Sequence, residues 1–370
     1  MTDLERILPL WRELEAGGVD YILATVAAVE GSSYRRPGAA MLLAPDGRRA
    51  GTVSGGCLEA QVASRAWWLT AGGPTVQRYS TAEEDGERPF GSGCGGVVTL
   101  LLERRATAGP LLAALERAFE RRTPLAVATV LDGAQIGRRA FAGLGNDPAG
   151  VAQAGGDALK DWAERSLAER VAMNETVAIG GGEARVWVDY RPARPGLWIY
   201  GAGDDAQPLA HLAKELGWFV AVADGRSQLA TRARFPLADE ARVLPAGEMP
   251  TACGLMPQDA AAVMSHSFDQ DARALAALLA LDAAPAYIGV LGPRRRTREL
   301  LGEAARLLGV PADEAAAQIE RWLARLHAPM GLDLGAESPE TIAFSVLAEI
   351  QKTLTGATAL PLREARGGIY

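Results

Sequence analysis

The stretch LWIYGAGDDAQPLAHLAKELGWFVAVAD, residues 197–224, decides the fold of the second half of the chain. A short apolar strand leads into a G-x-G-x-x-A pattern at Gly201, Gly203 and Ala206, a helical segment follows, and Asp224 ends the next strand. This order is typical of the first βαβ unit of a Rossmann fold, in which the glycines let backbone amides approach a phosphate group. We therefore predict that a Rossmann-like domain begins here.

The ligand of this glycine loop is a separate question from its fold. Asp204 and Asp205 stand where the helix N-terminus would meet a pyrophosphate, and although the helix dipole tolerates them, they would repel a phosphate. Asp224 would either bind a ribose hydroxyl or cap the turn before Arg226. The two glycines and Asp224 are thus candidate NAD(P)-binding residues, and binding of NAD(P) itself stays open.

The rest of the second half alternates short apolar strands, such as FVAVA and YIGVL, with helical stretches such as RALAALLA. That alternation predicts a parallel, doubly wound sheet. His266 follows the apolar run AAVM, so we expect it at the carboxyl edge of the sheet, where open α/β sheets bind ligands. It is either a cleft histidine oriented by Asp269 or Asp271, or a surface histidine in a helix-capping turn.

Arg294 opens a run of three arginines in YIGVLGPRRRTREL, at the predicted start of a helix. Helix amides and guanidinium groups together form a binding site for anions. The alternative is a solvated charged face, which is the commoner role of such a run. Arg294 is therefore a candidate anion-binding residue.

The first half of the chain has glycine-rich loops between strands instead of regular α/β alternation. YILATVAAVE, VVTLLLE and PLAVATVL read as strands, AAMLLAPDGRRAGTVSGG as a hairpin, and the segment from Cys57 to about Trp68 as a helix. In residues 141–182 we expect loops and one short helix. The prolines of RPARPG suggest a connector, so we predict an α/β protein with a mixed α+β domain over residues 1–192 and a Rossmann-like domain over residues 193–370.

Two cysteines of the first half stand in glycine corners. The corners are SGGC, with Gly55, Gly56 and Cys57, and SGCGG, with Cys94, Gly95 and Gly96. Glycine lets consecutive amides point into one concavity that binds anions, and a helix start favours the thiolate form of Cys57. A thiolate is a soft metal ligand. The alternative is that each cysteine is a small buried hydrophobic residue.

A basic segment, GSSYRRPG, supplies Arg35 and Arg36 in another glycine-bounded turn. Together with the two cysteine corners, these arginines suit an anionic ligand that contains sulfur or a soft metal.

The overall charge and hydropathy exclude several classes of protein. The formal net charge of −7 argues against nucleic acid as the main partner. No apolar stretch reaches a membrane-spanning length, and the acidic start MTDLE does not resemble a secretory signal. We therefore expect a cytoplasmic protein whose three cysteines are reduced thiols.

Several motifs in one order resemble the XdhC/CoxI family, the accessory factors of xanthine dehydrogenase and related molybdenum hydroxylases. GSSYRRPGAAMLL, GTVSGGCLEAQV and GSGCGGVVTLLLE are similar to the amino-terminal domain of that family. YGAGDDAQPLAHLAKELGW, VMSHSFDQD, YIGVLGPRRRTREL and HAPMGLDLGAESPETIAFSVLAEI are similar to its Rossmann domain. Ser265 and Ser267 depart from the family pattern around His266, and so does the tail RGGIY. These departures leave the role of the second domain open.

The resemblance implies a homodimeric chaperone that transiently binds the molybdenum cofactor, molybdopterin. It implies that the chaperone shields the cofactor while a cysteine desulfurase supplies sulfur, and then delivers it to a molybdenum hydroxylase such as xanthine dehydrogenase. By position, Cys57 is the leading candidate for holding the cofactor and its metal, with Cys94 and the glycine pairs beside it. Two alternatives remain open: an NAD(P)-dependent oxidoreductase with His266 as acid and base, and a sulfur-relay protein with a persulfide on Cys57.

Overall fold

The structure of the protein is a computed structural model that describes residues 2–31, 33–56, 58–80, 96–145, 157–179, 182–252 and 254–365. Cys57, Cys94, Gly95 and the tail RGGIY therefore lie outside the described residues. The chain forms two compact units, Met1–Arg194 and Pro195–Tyr370. The boundary between these amino-terminal and carboxyl-terminal units lies two residues beyond the position that the prolines suggest.

The amino-terminal unit contains four α-helices and nine strands within its described residues. They are α1 (Asp3–Ala16), β1 (Ile22–Glu30), β2 (Ala40–Leu43), β3 (Arg49–Gly51), α2 (Glu59–Leu69), β4 (Thr75–Ser80), β5 (Val97–Arg104), α3 (Arg105–Arg121), β6 (Leu125–Val130), β7 (Arg139–Ala142), α4 (Asp157–Glu169), β8 (Met173–Ile179) and β9 (Gly182–Arg191).

The first antiparallel sheet has the strand order β3-β2-β1-β5-β4, and β1 is its central strand. Because successive side chains of a strand point to opposite faces, β1 contributes to two cores. Ile22, Ala24 and Val26 pack on the face covered by α2. Leu23 packs on the other face, in a core that includes apolar residues of α1 and α3. The sheet is thus covered on both faces, and α2 is pinned to one of them.

The second antiparallel sheet has the order β7-β6-β9-β8 and packs against α4. Here the prediction of loops and one short helix for residues 141–182 is wrong, because α4 has 13 residues and β8 follows it as a regular strand. The strand was missed because β8, MNETVAI, has only one buried side chain, Val177, and so carries little apolar alternation.

A buried ion pair connects the two sheets of this unit. Glu103 of β5 and Arg139 of β7 are hydrogen-bonded, and their side chains are 0% and 3% exposed. The Arg139 guanidinium also donates to the backbone oxygens of Thr107 and Gly137. Loss of either charge would leave the other buried without its partner. We therefore expect this pair to contribute to the connection between the two sheets.

The carboxyl-terminal unit contains five strands and seven helices within its described residues. They are β10 (Gly196–Tyr200), α5 (Ala206–Glu215), β11 (Phe219–Asp224), β12 (Glu240–Val243), α6 (Met249–Ala252), β13 (Ala260–Val263), α7 (Phe268–Leu279), β14 (Tyr287–Val290), α8 (Arg294–Leu307), α9 (Ala312–Leu323), α10 (Pro339–Thr355) and α11 (Leu362–Ala365).

All five strands of this unit are parallel, in the order β12-β11-β10-β13-β14. One core lies on each face: α5 and α10 contribute to the first, and α7, α8 and α9 contribute to the second. The predicted Rossmann-like, doubly wound sheet is therefore confirmed. The strand order reverses between β10 and β13, and this switch point is where such sheets bind ligands. Among the described residues, every helix is too short or too polar to cross a bilayer.

Candidate functional site

The glycine-rich segments of the amino-terminal unit leave the first sheet at one end. The basic turn, residues 31–39, connects the end of β1 to the start of β2. The Gly-Gly loop, residues 52–58, connects the end of β3 to α2. Gly96 immediately precedes β5, whose first residue, Val97, pairs with the last residue of β1. The topology thus brings the three predicted segments to the same end of the sheet.

The strand register separates these segments along the strand direction. Gly51, the last residue of β3, lies at the level of Ala24 through its pairing with Met41. Val97 instead pairs with Glu30, six residues further along β1, which is about 20 Å at the usual rise per strand residue. The Gly-Gly loop and the Gly96 segment therefore leave the sheet at different heights. Cys57 and Cys94 lie outside the described residues, so their predicted roles stay predictions.

The basic turn is fixed from three directions. The N–H of Gly38, a residue with φ +94°, donates to the oxygen of Val26 at 2.8 Å. The Gly38 oxygen accepts a hydrogen bond of 2.7 Å from Arg191. The Arg35 guanidinium donates to Asp3 of α1 at 2.9 Å. Arg35 thus turns toward α1 while Arg36 is exposed, and the cofactor-binding role of the two arginines stays a prediction.

The Gly-Gly loop is organised by a carboxylate that the sequence motifs did not single out. Glu59, the first residue of α2, is 4% exposed. Its oxygens accept hydrogen bonds from the N–H groups of Val53 and Ser54 at 3.2 and 2.9 Å, from the Ser54 hydroxyl at 2.5 Å, and from the Thr52 hydroxyl. One side chain thus binds the three residues that precede the glycine pair.

Ser54 extends this network to the glycine pair itself. Its hydroxyl oxygen accepts from the N–H groups of Gly56 and Leu58, at 3.2 and 3.1 Å. Leu58 is fully buried against the first sheet. The loop is therefore held at both ends, by the carboxylate before the glycines and by a core side chain after them. An acidic residue three positions after SGG was the only sequence signal for this arrangement.

The charge state of Glu59 follows from these contacts. Burial raises the pKa of Glu59, but the hydrogen bonds from Ser54 and Thr52 outweigh it and lower the pKa to about 2. The carboxylate is therefore ionised at neutral pH. Because hydrogen bonds from the loop stabilise its negative charge, this carboxylate acts as an anchor inside the loop.

Gly55 and Gly56 themselves are exposed. Gly56 has φ +115°, which favours glycine, and a Cβ there would meet no atom of the described residues within 4 Å. At Gly55 a Cβ would lie 3.5 Å from the ring of Tyr34 in the basic turn. The described part of the loop thus presents open backbone on one side and an aromatic ring on the other.

The Rossmann loop, residues 201–205, lies at the switch point of the parallel sheet. Gly201 has φ +124°, and a Cβ there would lie 2.5 Å from the backbone nitrogen and Cα of Ser265 at the end of β13. No other residue type fits this approach. Gly203 is also tightly placed, because a Cβ there would lie 2.6 Å from a carboxylate oxygen of Asp205.

Asp224 is fully buried and anchors this loop. Its carboxylate accepts from the N–H of Ala202 at 2.8 Å, and from the backbone N–H and guanidinium of Arg226 at 2.7 to 2.9 Å. Burial raises the pKa of Asp224, but the hydrogen bonds from Arg226 and Ala202 outweigh it and lower the pKa. The geometry therefore favours the turn-capping role of Asp224 over the ribose-binding role.

His266 is exposed and lies at the sheet edge as predicted, in the left-handed conformation with φ +60°. Its carboxylate partner is neither Asp269 nor Asp271, because Nε2 lies 2.7 Å from Asp205 of the Rossmann loop. Asp269 pairs with Arg273 on the surface of α7. The carboxylate next to His266 is thus Asp205, 61 residues away in the chain, and the functional role of His266 stays a prediction.

Asp271 instead forms a buried connection between α7, α8 and the end of β13. It accepts from the hydroxyl and N–H of Ser265 at 2.5 and 2.9 Å and from the Arg296 guanidinium at 2.7 Å. Arg294 is exposed at the first position of α8 and forms no ion pair within the described part of the chain. Of the arginine run, Arg294 is thus directed to solvent and Arg296 to the interior.

The described residues contain no group of three or more His, Cys, Asp or Glu side chains that could hold a metal ion. What they contain is a rigid, glycine-exposed loop in the amino-terminal unit and a self-bonded glycine loop in the carboxyl-terminal unit. The first arrangement suits binding of a flat or anionic group against backbone. The second leaves its carboxylates paired with its own cations.

Two family models match the chain. Residues 14–80 match the model described as the XdhC and CoxI family, and residues 197–350 match the model described as the XdhC Rossmann domain.

Curated relatives and a solved structure align along most of the chain. A protein of Bacillus subtilis strain 168, described as a probable subunit of xanthine dehydrogenase, is 29% identical over 344 residues, which cover 90% of this chain and 92% of the relative. The molybdenum cofactor insertion chaperone PaoD of Escherichia coli K12 is 29% identical over 360 residues, 95% of this chain and 89% of PaoD.

The solved structure is a Bacillus halodurans protein described as a xanthine dehydrogenase. It is 26% identical, with a TM-score of 0.71 over 99% of this chain and 100% of its own. Since each compact unit matches its own family model and the relatives align along nine-tenths of the sequence or more, the chain belongs to the XdhC and CoxI family.

Proposed function

We propose that the protein is an accessory factor of a molybdenum hydroxylase, a chaperone that carries molybdenum cofactor as cargo. The observation that carries this proposal is the alignment with PaoD, a molybdenum cofactor insertion chaperone, over 95% of the chain. The Gly-Gly loop supports it physically. Its glycines leave the backbone open to an approaching group, and the buried Glu59 keeps that backbone in one conformation.

In this proposal Cys57 holds the cofactor through its thiolate, with Gly55 and Gly56 beside it and Cys94, Gly95 and Gly96 contributing from the segment that precedes β5. The loop shields the cofactor while a cysteine desulfurase supplies the terminal sulfur. The cofactor then passes to the apo-hydroxylase, a xanthine dehydrogenase or a related enzyme. We also propose that the carrier is a homodimer, which analytical ultracentrifugation would test.

The oxidoreductase alternative is less well supported by the geometry. Asp224, the residue that would bind the ribose of NAD(P), is buried and bonded to Ala202 and Arg226. A calorimetric titration with NAD and NADP tests this alternative, and micromolar binding with turnover of a small substrate would establish it.

The test of the carrier role uses protein purified from a host that makes the cofactor. Molybdenum is measured by mass spectrometry, and pterin by fluorescence after oxidation. We expect both in the wild-type protein, most of both lost in Cys57→Ser, and full loading in Cys253→Ser, the matched change at the cysteine outside the glycine corners. Equal loading of the two variants would remove Cys57 from its role, and an empty wild-type protein would overturn the carrier proposal.

A further inference from the structure

The side chain of Tyr34 occupies an unusual position for an aromatic residue. Tyr34 lies in the basic turn and is 69% exposed. Its ring faces the backbone of Gly55 in the Gly-Gly loop. Large aromatic side chains stabilise a fold when they are buried, so an exposed ring over a glycine adds little to folding. A ring placed beside open backbone does, however, offer a flat surface to a ligand.

Hydrogen bonds fix the backbone on both sides of this ring. The basic turn is fixed by the hydrogen bonds of Gly38 to Val26 and Arg191, and by the ion pair of Arg35 with Asp3. The backbone that the ring faces is fixed through Ser54, which bonds to Glu59 and to the N–H of Gly56. The backbone around the ring is therefore in place before any ligand arrives, so binding orders few backbone groups.

The orientation of neighbouring side chains leaves Tyr34 facing outward. Arg35 turns inward to α1, while Tyr34, Arg36 and Pro37 are exposed. Gly56 has no neighbour within 4 Å of a Cβ position, so the space next to the glycine pair is open within the described residues. A planar group can therefore lie against the exposed ring, while the N–H groups of Gly56 and Leu58 stay bonded to Ser54.

We propose that Tyr34 is a specificity residue of the amino-terminal unit that stacks on the pyrimidine ring of a pterin. This inference rests on the proposed function, because the cofactor carried there contains a pterin. Stacking recognises the flat heterocycle, which a thiolate or an anion-binding loop alone would not distinguish from other anionic ligands. Tyr34 thus adds selection for the organic part of the cargo.

The test separates the ring from its hydroxyl group and from general effects of surface aromatic residues. Tyr34→Ala, Tyr34→Phe and, as control, Trp68→Ala are compared with the wild-type protein. Trp68 is 73% exposed on α2 in the same unit. Thermal unfolding confirms that each variant is folded. Binding is measured by fluorescence titration with pterin-6-carboxylate, and pterin content is measured in protein from the cofactor-producing host.

We expect Tyr34→Ala to weaken pterin-6-carboxylate binding about threefold to tenfold, the effect of one aromatic pair. Tyr34→Phe and Trp68→Ala should bind as the wild-type protein does. Unchanged binding in Tyr34→Ala, or equal losses in the Ala and Phe variants, would overturn the stacking role. If wild-type protein from the host contains no pterin, the carrier proposal fails, while the titration still decides the role of Tyr34.

Discussion

Two glycine loops, one in each unit, are each anchored by a buried carboxylate that accepts backbone hydrogen bonds. Glu59 anchors the Gly-Gly loop and Asp224 anchors the Rossmann loop. The loops differ in the space next to their glycines. Beside Gly56 the backbone is open, whereas the Rossmann loop approaches the end of β13 so closely that Gly201 has no space for a side chain. The same anchoring thus produces an open surface in one unit and a closed one in the other.

The closure of the Rossmann loop has a chemical consequence. Its carboxylates are already paired, Asp224 with Arg226, Asp205 with His266, and Asp204 with Arg234. A phosphate at this helix N-terminus would have to displace these partners or face the acids directly. The comparison therefore favours the amino-terminal unit for the proposed binding surface, although the carboxyl-terminal unit has the more familiar motif.

The largest expected effect on stability comes from adding a side chain to a glycine of each loop, which tests whether one glycine has less free space around it than the other. Gly201→Ala should lower the free energy of unfolding by at least about 3 kcal/mol, because its Cβ would meet the Ser265 backbone at 2.5 Å and φ is +124°. At Gly56 a Cβ meets none of the residues that the structure describes, so Gly56→Ala should lower the free energy of unfolding by only about 1 to 2 kcal/mol, through its positive φ. Urea denaturation measures both. Equal losses would contradict the contrast between an open and a closed loop.

The next effect tests the anchor of the open loop. Glu59→Ala should lower the free energy of unfolding by about 2 to 3 kcal/mol, because it leaves the N–H groups of Val53 and Ser54 and the Ser54 hydroxyl without their acceptor. Glu164→Ala, at an exposed position of α4, is the matched control and should change stability by less than about 0.5 kcal/mol. A Glu59→Ala variant as stable as this control would show that the loop does not depend on its carboxylate.

The dependence of stability on pH tests the anchor of the closed loop. Because contacts in the folded state lower the pKa of Asp224 below its ordinary value near 4, the stabilisation is fully present above that ordinary value. It is lost as the pH falls further, through the folded-state pKa. Chemical denaturation of the wild-type protein and Asp224→Asn between pH 7 and pH 2 measures this. The variant should lose less stability on acidification, and parallel curves would contradict the assignment.

The smallest expected effect concerns the pair of His266 and Asp205. The His266 side chain is 64% exposed, so His266→Ala should change the free energy of unfolding by less than about 1 kcal/mol. Thermal unfolding at pH 6 and pH 8 measures the change. A larger loss would mean that this pair, in addition to Asp224, holds the Rossmann loop closed.

The sequence by itself determined those helices and strands that can be recognised from residues close together in the chain. Glycine spacing between an apolar strand and a helix identified the Rossmann-like unit, and apolar runs identified most strands of the first unit. These patterns are readable because backbone conformation and side-chain alternation depend on near neighbours in the chain. The strand β8 was missed because its side chains are mostly not buried and its pattern is correspondingly weak.

Only the tertiary structure decided which polar groups meet. Glu59 reads from sequence as an ordinary acidic residue at a helix start, and its burial depends on how α2 packs on the first sheet. The partner of His266 lies 61 residues away, while two closer aspartates pair elsewhere. Arg35 turned inward because α1 brings Asp3 to it. Such pairings are set by long-range packing of apolar faces, so the spacing of charged residues along the chain does not contain them.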